Sequence, residues 1–108
     1  NNTGEKSSAI KKRVENARKI QFKRQNKTNA QLNSSEIRVH CKLSNESMKL
    51  LKSAAVKMNF SVRGVTRIQK TSRTIADLDN SENIMPNHIA EALQYRGLDK
   101  LKALQISF

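Results

Sequence analysis

The sequence predicts an all-α protein, and two observations lead to that class. Only three glycines and one proline occur in 108 residues, so long stretches contain no residue that interrupts a helix. Apolar residues recur at steps of three and four along most of the chain, which is the period of an amphipathic helix. Aromatic residues make up only 4% of the chain, so the core must be aliphatic and small. We therefore expect a single small bundle of about four helices.

The first predicted helix covers residues 8–25 and follows a polar stretch, residues 1–7, that looks like a linker. Ile10, Val14 and Ala17 form a narrow apolar stripe at helical spacing. Basic residues surround this stripe. The helix is therefore expected to dock weakly and to stay mobile unless a core domain or a ligand holds it.

The middle of the chain is predicted to contain a polar loop, a short turn and a second long helix. Residues 26–31 are polar and provide no driving force for order, and the short turn covers residues 34–41. Ser44 can cap the second long helix, which ends near Asn59, a residue type that tolerates the left-handed conformation. The apolar stripe of this helix consists of Met48, Leu51, Ala55 and Met58.

The third long helix is predicted to begin after Ser61 and to reach Leu78. The Ser61 hydroxyl can accept a hydrogen bond from the unpaired amides of the first turn. Arg63, Arg67 and Lys70 recur at helical steps on one stripe, so we expect one face to pack and the other to be offered to an anion. The packing face consists of Val65, Ile68, Ser72 and Ile75.

The last predicted helix covers residues 86–96. Pro86 is tolerated in a first helical turn, and Gly97 is typical of the residue that follows a helix. His88 is expected in the first turn as a surface or interface residue. In the loop before this helix, Ile84 is expected to pack or to add one short extended contact.

No self-contained active site or metal site is expected. The chain has no G-x-x-x-x-G-K-[ST] loop, so it cannot cradle phosphates or hold Mg²⁺ alone. His40, Cys41 and the distant His88 lack the spacing of metal ligands. The lone Cys41 cannot form an internal disulfide and is expected to be a small, partly buried residue. Asp77 follows Arg73 by four residues, which is the usual spacing of a surface ion pair.

The charge distribution favours an anionic partner. The chain carries a net charge of +12, and residues 1–30 contribute +7 of it. Phe22 is the one aromatic residue in that segment, so nucleic-acid binding there would be electrostatic and not sequence-specific. The chain has no apolar run that could form a signal peptide or a membrane span, and a cytoplasmic location is expected. The candidate nucleic-acid contacts are Lys11, Lys12, Arg13, Arg18, Lys19 and Lys23.

Several motifs occur together in the second half of the chain. They are Ser61-Val62-Arg63, Arg67-Ile68, Arg73-Thr74-Ile75-Ala76-Asp77-Leu78 and His88-Ile89-Ala90-Glu91-Ala92-Leu93-Gln94-Tyr95-Arg96. This combination resembles the C-terminal lid of the magnesium-chelatase-related AAA+ ATPases, in particular the ComM/YifB-like branch. The opening Gly4-Glu5-Lys6-Ser7-Ser8-Ala9-Ile10 resembles the segment that leaves the ATPase core in those proteins.

The resemblance implies a fold of the AAA+ lid type, with residues 1–33 as a basic helix and linker leaving the core and residues 34–108 as the lid. In AAA+ ATPases an arginine called sensor 2, at the start of a lid helix, reaches the γ-phosphate of ATP on the core. Arg63 matches that position, and Arg67 is implied as a second contact to nucleotide or to the next subunit.

The resemblance also implies cofactors and partners. The chain would be inactive alone and would belong to an ATPase that binds ATP and Mg²⁺ mainly outside it. Its partners would be its own AAA+ core, neighbouring subunits of a hexameric ring and DNA, in a role in DNA processing.

Two alternatives to this interpretation remain open. The first is a free-standing basic helical module that binds nucleic acid through residues 1–30 without sequence specificity. The second is the lid of a true magnesium chelatase subunit. Only the closer match of residues 73–78 and 88–96 to the ComM/YifB-like branch argues against that second alternative.

Overall fold

A computed structural model describes the backbone of residues 2–103 and the side chains of residues 7–95. In this part of the chain it contains five α-helices, one short 3₁₀ helix and no strand, so the predicted all-α class is confirmed. One isolated bridge within the same residues pairs Leu43 with Ile84, which confirms the short extended contact expected at Ile84. The α-helices are α1 (Asn2–Gln25), α2 (Ser34–His40), α3 (Asn45–Lys57), α4 (Val62–Leu78) and α5 (Pro86–Ala103), and the 3₁₀ helix is Asn29–Gln31.

Helix α4 is the centre of the fold. It packs against α5, α1, α2 and the 3₁₀ helix, while α3 packs against α5. The main hydrophobic cluster is aliphatic, as predicted, and draws on Leu32, on α2 to α5 and on the segments between them, but on none of the described residues of α1. Its buried members are Leu32, Ile37, Cys41, Leu51, Ile68, Ile75, Ala76, Ile84, Ile89 and Ala92.

The predicted helix caps are present. The Ser44 hydroxyl accepts a hydrogen bond from the amide of Ser47 at 3.1 Å, and the Ser61 hydroxyl accepts one from the amide of Gly64 at 3.2 Å. Asn59 has a φ of 54°, in the left-handed region predicted for the end of α3. These caps satisfy amides that have no partner within the helix, so α3 and α4 begin where the local sequence indicates.

The packing face of α3 differs from the prediction by about one residue. Met48 and Met58 are 37% and 41% exposed, so the prediction that their apolar stripe is the packing face is wrong at these two residues. The buried face is centred instead on Ser47, Leu51 and Ala54. Ser47 can be buried because its hydroxyl donates a hydrogen bond to the carbonyl oxygen of Ile84 at 3.2 Å.

Three predicted boundaries or loops are also corrected. Helix α1 already begins at Asn2, and α5 continues past Gly97 to Ala103, since one glycine in a helix interior costs only about 1 kcal/mol. The segment 26–31 is not a loop without order: it contains the 3₁₀ helix, and its Asn29 is 2% exposed. Hydrogen bonds from the Asn29 side chain to α4, described below, stabilise this segment in one conformation.

Candidate functional site

Arg63 and Arg67 lie in the first two turns of α4, and both are exposed. Within the described residues Arg63 makes no hydrogen bond or ion pair, and its positive charge near a helix N-terminus does not stabilise the fold. Lys70 continues the same stripe but is half-buried, and its Nζ donates to the carbonyl oxygen of Ala30 at 3.1 Å. The predicted basic stripe is therefore exposed at Arg63 and Arg67, whereas Lys70 is bonded to the segment before α2.

The start of α4 is held by local contacts. Ser61 caps it, and Gly64 lies against Phe60: a Cβ added at Gly64 would be in ordinary van der Waals contact, 3.4 Å from the Phe60 Cβ. The neighbouring Val62 is 85% exposed. The backbone of this turn is therefore well defined, while the Arg63 side chain projects from it.

A buried carboxylate, Asp77, lies at the other end of α4. Its side chain has no solvent exposure. Arg24 of α1 donates to both carboxylate oxygens, with distances of 2.8 Å to Oδ1 and 3.1 Å to Oδ2. Arg73 donates to Oδ1 from Nε at 3.1 Å, and the Asn29 amide donates to Oδ2 at 3.0 Å. We call these four residues the Asp77 cluster.

Arg73 is the member of the Asp77 cluster that lies on the same helix as Asp77, one turn before it. Its side chain is only 5% exposed, and its two terminal nitrogens donate to the carbonyl oxygens of Glu82 and Ser81 at 3.0 and 2.7 Å. Burial lowers the pKa of the Arg73 guanidinium, although Asp77 acts against that shift. The spacing of Arg73 and Asp77 predicted their ion pair, but its placement on the surface was wrong.

His88 lies in the first turn of α5, as predicted, but it is buried within the fold and is not the surface or interface residue that was expected. Its Nδ1 accepts a hydrogen bond from the Met85 amide at 2.9 Å, so the ring proton is assigned to Nε2. Nε2 lies 3.1 Å from Asp79 Oδ2. His88 thus caps α5 and links it to the end of α4.

The six basic side chains of α1 proposed as nucleic-acid contacts are all exposed. Arg13 lies 3.6 Å from Asp79 in an ion pair. Lys12, Lys19 and Lys23 recur at steps of seven and four, so they share one face, which we call the lysine face. It points away from the buried side of α1. The other five make no hydrogen bond or ion pair within the described residues; they are Lys11, Lys12, Arg18, Lys19 and Lys23.

Other chemistry is limited in the part of the chain that the structure describes. No three His, Cys, Asp or Glu side chains there are grouped as metal ligands. Cys41 is completely buried, as a small core residue, and burial raises the pKa of its thiol. No helix among these residues is long and apolar enough to cross a membrane.

The fold and these residues define a small all-α domain with a capped, arginine-bearing central helix. The chain belongs to the family described as magnesium chelatase, subunit ChlI C-terminal, which it matches over residues 4–96. It is 47% identical to the uncharacterized protein YifB of Escherichia coli K12 and 45% identical to the competence protein ComM of Haemophilus influenzae, over 98 residues in each case. The predicted resemblance to the ComM/YifB-like proteins is therefore confirmed.

These relatives are much longer than this chain. The matched region covers 91% of the chain but only 19% of YifB or of ComM. A second YifB, from Salmonella typhimurium, is 39% identical over the same share. The chain thus corresponds to about a fifth of the length of the relatives it matches.

Proposed function

We propose that this chain is the helical C-terminal lid of a ComM/YifB-like AAA+ ATPase and that Arg63 is its sensor 2 residue. Residues 1–33 would connect the lid to the ATPase core, and residues 34–108 would form the lid. The observation that supports this proposal most directly is the exposed Arg63 guanidinium, which projects from the capped first turn of α4 in a member of this family.

The chemistry of a guanidinium suits this role. It stays charged at all physiological pH values and grips two phosphate oxygens at once. ATP and Mg²⁺ would bind mainly to the core, since this chain has no phosphate-binding loop. Loss of the γ-phosphate removes the partner of Arg63, so the lid orientation follows the nucleotide state. Neighbouring subunits of a hexameric ring would respond to that change of orientation. Arg67 would be a second contact to the nucleotide or to the next subunit. The substrate of the ring would be DNA.

Arg63→Ala in the full-length protein is expected to lower ATP turnover tenfold or more, about 1.4 kcal/mol of transition-state stabilisation. Arg67→Ala, one turn further along α4, is the matched variant and is expected to have a smaller effect. The measurement is steady-state ATP hydrolysis, with circular dichroism to show that each variant is folded. The isolated chain is expected to show neither hydrolysis nor tight ATP binding.

Two outcomes would contradict the sensor 2 proposal. One is full turnover by a folded Arg63→Ala variant. The other is micromolar ATP affinity in the isolated chain, which would place a nucleotide site within these residues.

A second candidate function, electrostatic binding of nucleic acid, is favoured by the exposed basic side chains of α1 that have no partner in the described part of the fold. Along α1, Lys12 and Lys23 lie about 16 Å apart, a length over which several phosphates follow one another on a strand. Such contacts carry no sequence information.

The triple variant Lys12→Gln, Lys19→Gln, Lys23→Gln is expected to weaken duplex DNA binding at low salt at least about tenfold and to flatten its salt dependence. Stability should not change, because these side chains are exposed. The triple variant Lys49→Gln, Lys52→Gln, Lys57→Gln is the matched control, since it removes three exposed charges from α3, outside the proposed contacts. Unchanged affinity and salt slope in the α1 triple variant, measured by fluorescence anisotropy, would remove this candidate.

A further inference from the structure

Helix α1 is attached to the rest of the fold mainly by polar contacts. None of its described residues joins the main hydrophobic cluster. Among the apolar side chains of residues 7–25, only Ala17 is buried, and Ile20 is half-buried. Ile10 and Phe22 are 58% and 49% exposed. Apolar burial therefore contributes little to holding α1 in place.

The polar contacts of α1 converge on the C-terminal end of α4, the turn that follows it and the 3₁₀ helix. In the 3₁₀ helix, the Asn29 backbone amide donates to Gln21 Oε1 at 3.1 Å, and Asn29 Oδ1 accepts from Arg24 and Gln25 at 2.9 and 2.7 Å. Arg24 binds both oxygens of Asp77, and its side chain is 22% exposed, so it is reached from solvent. The Asn16 amide donates to the Asn80 side chain at 2.8 Å, and Arg13 pairs with Asp79 at 3.6 Å on the surface. Arg63 lies about 21 Å away along the α4 axis, at its opposite end.

The Asp77 cluster can lose Arg24 without leaving a buried charge alone. Arg73, on the same helix, remains bonded to Asp77, and the Asn29 amide still donates to it. Breaking a buried ion pair is costly chiefly when one charge is left without compensation. Here the group that leaves, Arg24, is already partly exposed to solvent.

The chain between α1 and α2 provides a hinge and an anchor. Asn26 directly follows α1 and has a φ of 57°, a conformation that asparagine tolerates. Beyond it, the 3₁₀ helix is bonded to α1 through Asn29, but it also has contacts with the rest of the fold that do not involve α1. The Asn29 amide also donates to Thr74 Oγ1 at 3.0 Å, and Lys27 pairs with Glu36 at 2.8 Å.

From these contacts we propose that α1 is a releasable strap. It docks on the end of α4 through Arg24 and leaves as a unit by rotation near Asn26, while α2 to α5 and the 3₁₀ helix stay folded. The strap does not depend on the proposed function, because its contacts lie within this chain and far from Arg63. Its release would expose the buried side of α1 and the end of α4 together.

Native-state hydrogen exchange of the 108-residue chain, at increasing denaturant, tests the strap. In the unaltered chain, the amides of residues 15–25 should exchange through an opening that depends weakly on denaturant, whereas those around Ile68 should need global unfolding. Arg24→Gln should increase the α1 opening at least about tenfold, as expected for a lost charge-assisted hydrogen bond, with less than about a twofold change around Ile68.

Arg18→Gln is the matched control, because Arg18 lies on the same helix, is exposed and makes no hydrogen bond or ion pair within the described residues. It should leave both sets of amides unchanged. The strap is refuted if α1 and α4 exchange through the same opening in the unaltered chain, or if Arg24→Gln accelerates both equally. Absence of any protection in α1 would refute the docked state. If Arg24→Gln does not fold, the comparison of exchange in α1 and α4 of the unaltered chain still tests the strap.

Discussion

Asp77→Asn is expected to lower the free energy of unfolding by about 3–5 kcal/mol. The substitution keeps the size of the side chain but removes the charge that compensates Arg24 and Arg73. Arg73 is almost fully buried, so its guanidinium would remain in the interior without a counter-ion. A loss of this size is a large share of the total of about 5–15 kcal/mol that stabilises a small domain. Urea denaturation followed by circular dichroism measures it.

Asp79→Asn is the control for this experiment. It makes the same chemical change two residues later, on a side chain that is 45% exposed and pairs with Arg13 on the surface. Asp79 also accepts a hydrogen bond from His88 Nε2, which the amide oxygen of asparagine can still accept. Its expected cost is about 0–1 kcal/mol, as for other exposed ion pairs. Equal losses of unfolding free energy in the two variants would show that burial of Asp77 does not increase its contribution to stability.

Ile68→Ala is expected to destabilise the domain by about 2–5 kcal/mol through loss of apolar burial and the cavity left behind. Ile68 is 2% exposed, and it lies on the face of α4 that meets the core. The free energy of unfolding from urea denaturation is again the quantity to measure. The milder Ile68→Val should cost about 0.5–1.5 kcal/mol, since it removes a single methyl group.

Val56→Ala serves as the comparison because Val56 is 83% exposed on α3. Its expected effect is within about 0.5 kcal/mol, and alanine also favours a helix. A loss below about 1 kcal/mol for Ile68→Ala would mean that the core around α4 is not packed as described.

Much of the fold could be predicted from local signals. The serine caps of α3 and α4, the left-handed Asn59 and the helical period each involve residues within about four positions of one another. The exposure of Arg63 also follows locally, since it continues the basic stripe of α4. The resemblance of these motifs to the ComM/YifB-like proteins had the same local origin and was confirmed by the family match.

The Asp77 cluster could not be predicted, because its members are distant in sequence. Arg24 and Asn29 precede Asp77 by 53 and 48 residues, and helical spacing says nothing about such pairs. A weak signal existed in the polar segment 26–31, whose asparagines suit turns, but it carried no indication of a partner. The buried position of His88 depends in the same way on Asp79, nine residues earlier.

The sequence by itself determined the helical class, the two serine caps and the family, since each depends on residue types at short spacing. Only the tertiary structure decided which polar groups are buried. A carboxylate or an imidazole is tolerated inside the fold where other elements supply its hydrogen bonds, and those partners become neighbours only when the helices pack. Which face of α3 is buried has the same cause: Ser47 faces the core because the carbonyl oxygen of Ile84 accepts a hydrogen bond from its hydroxyl.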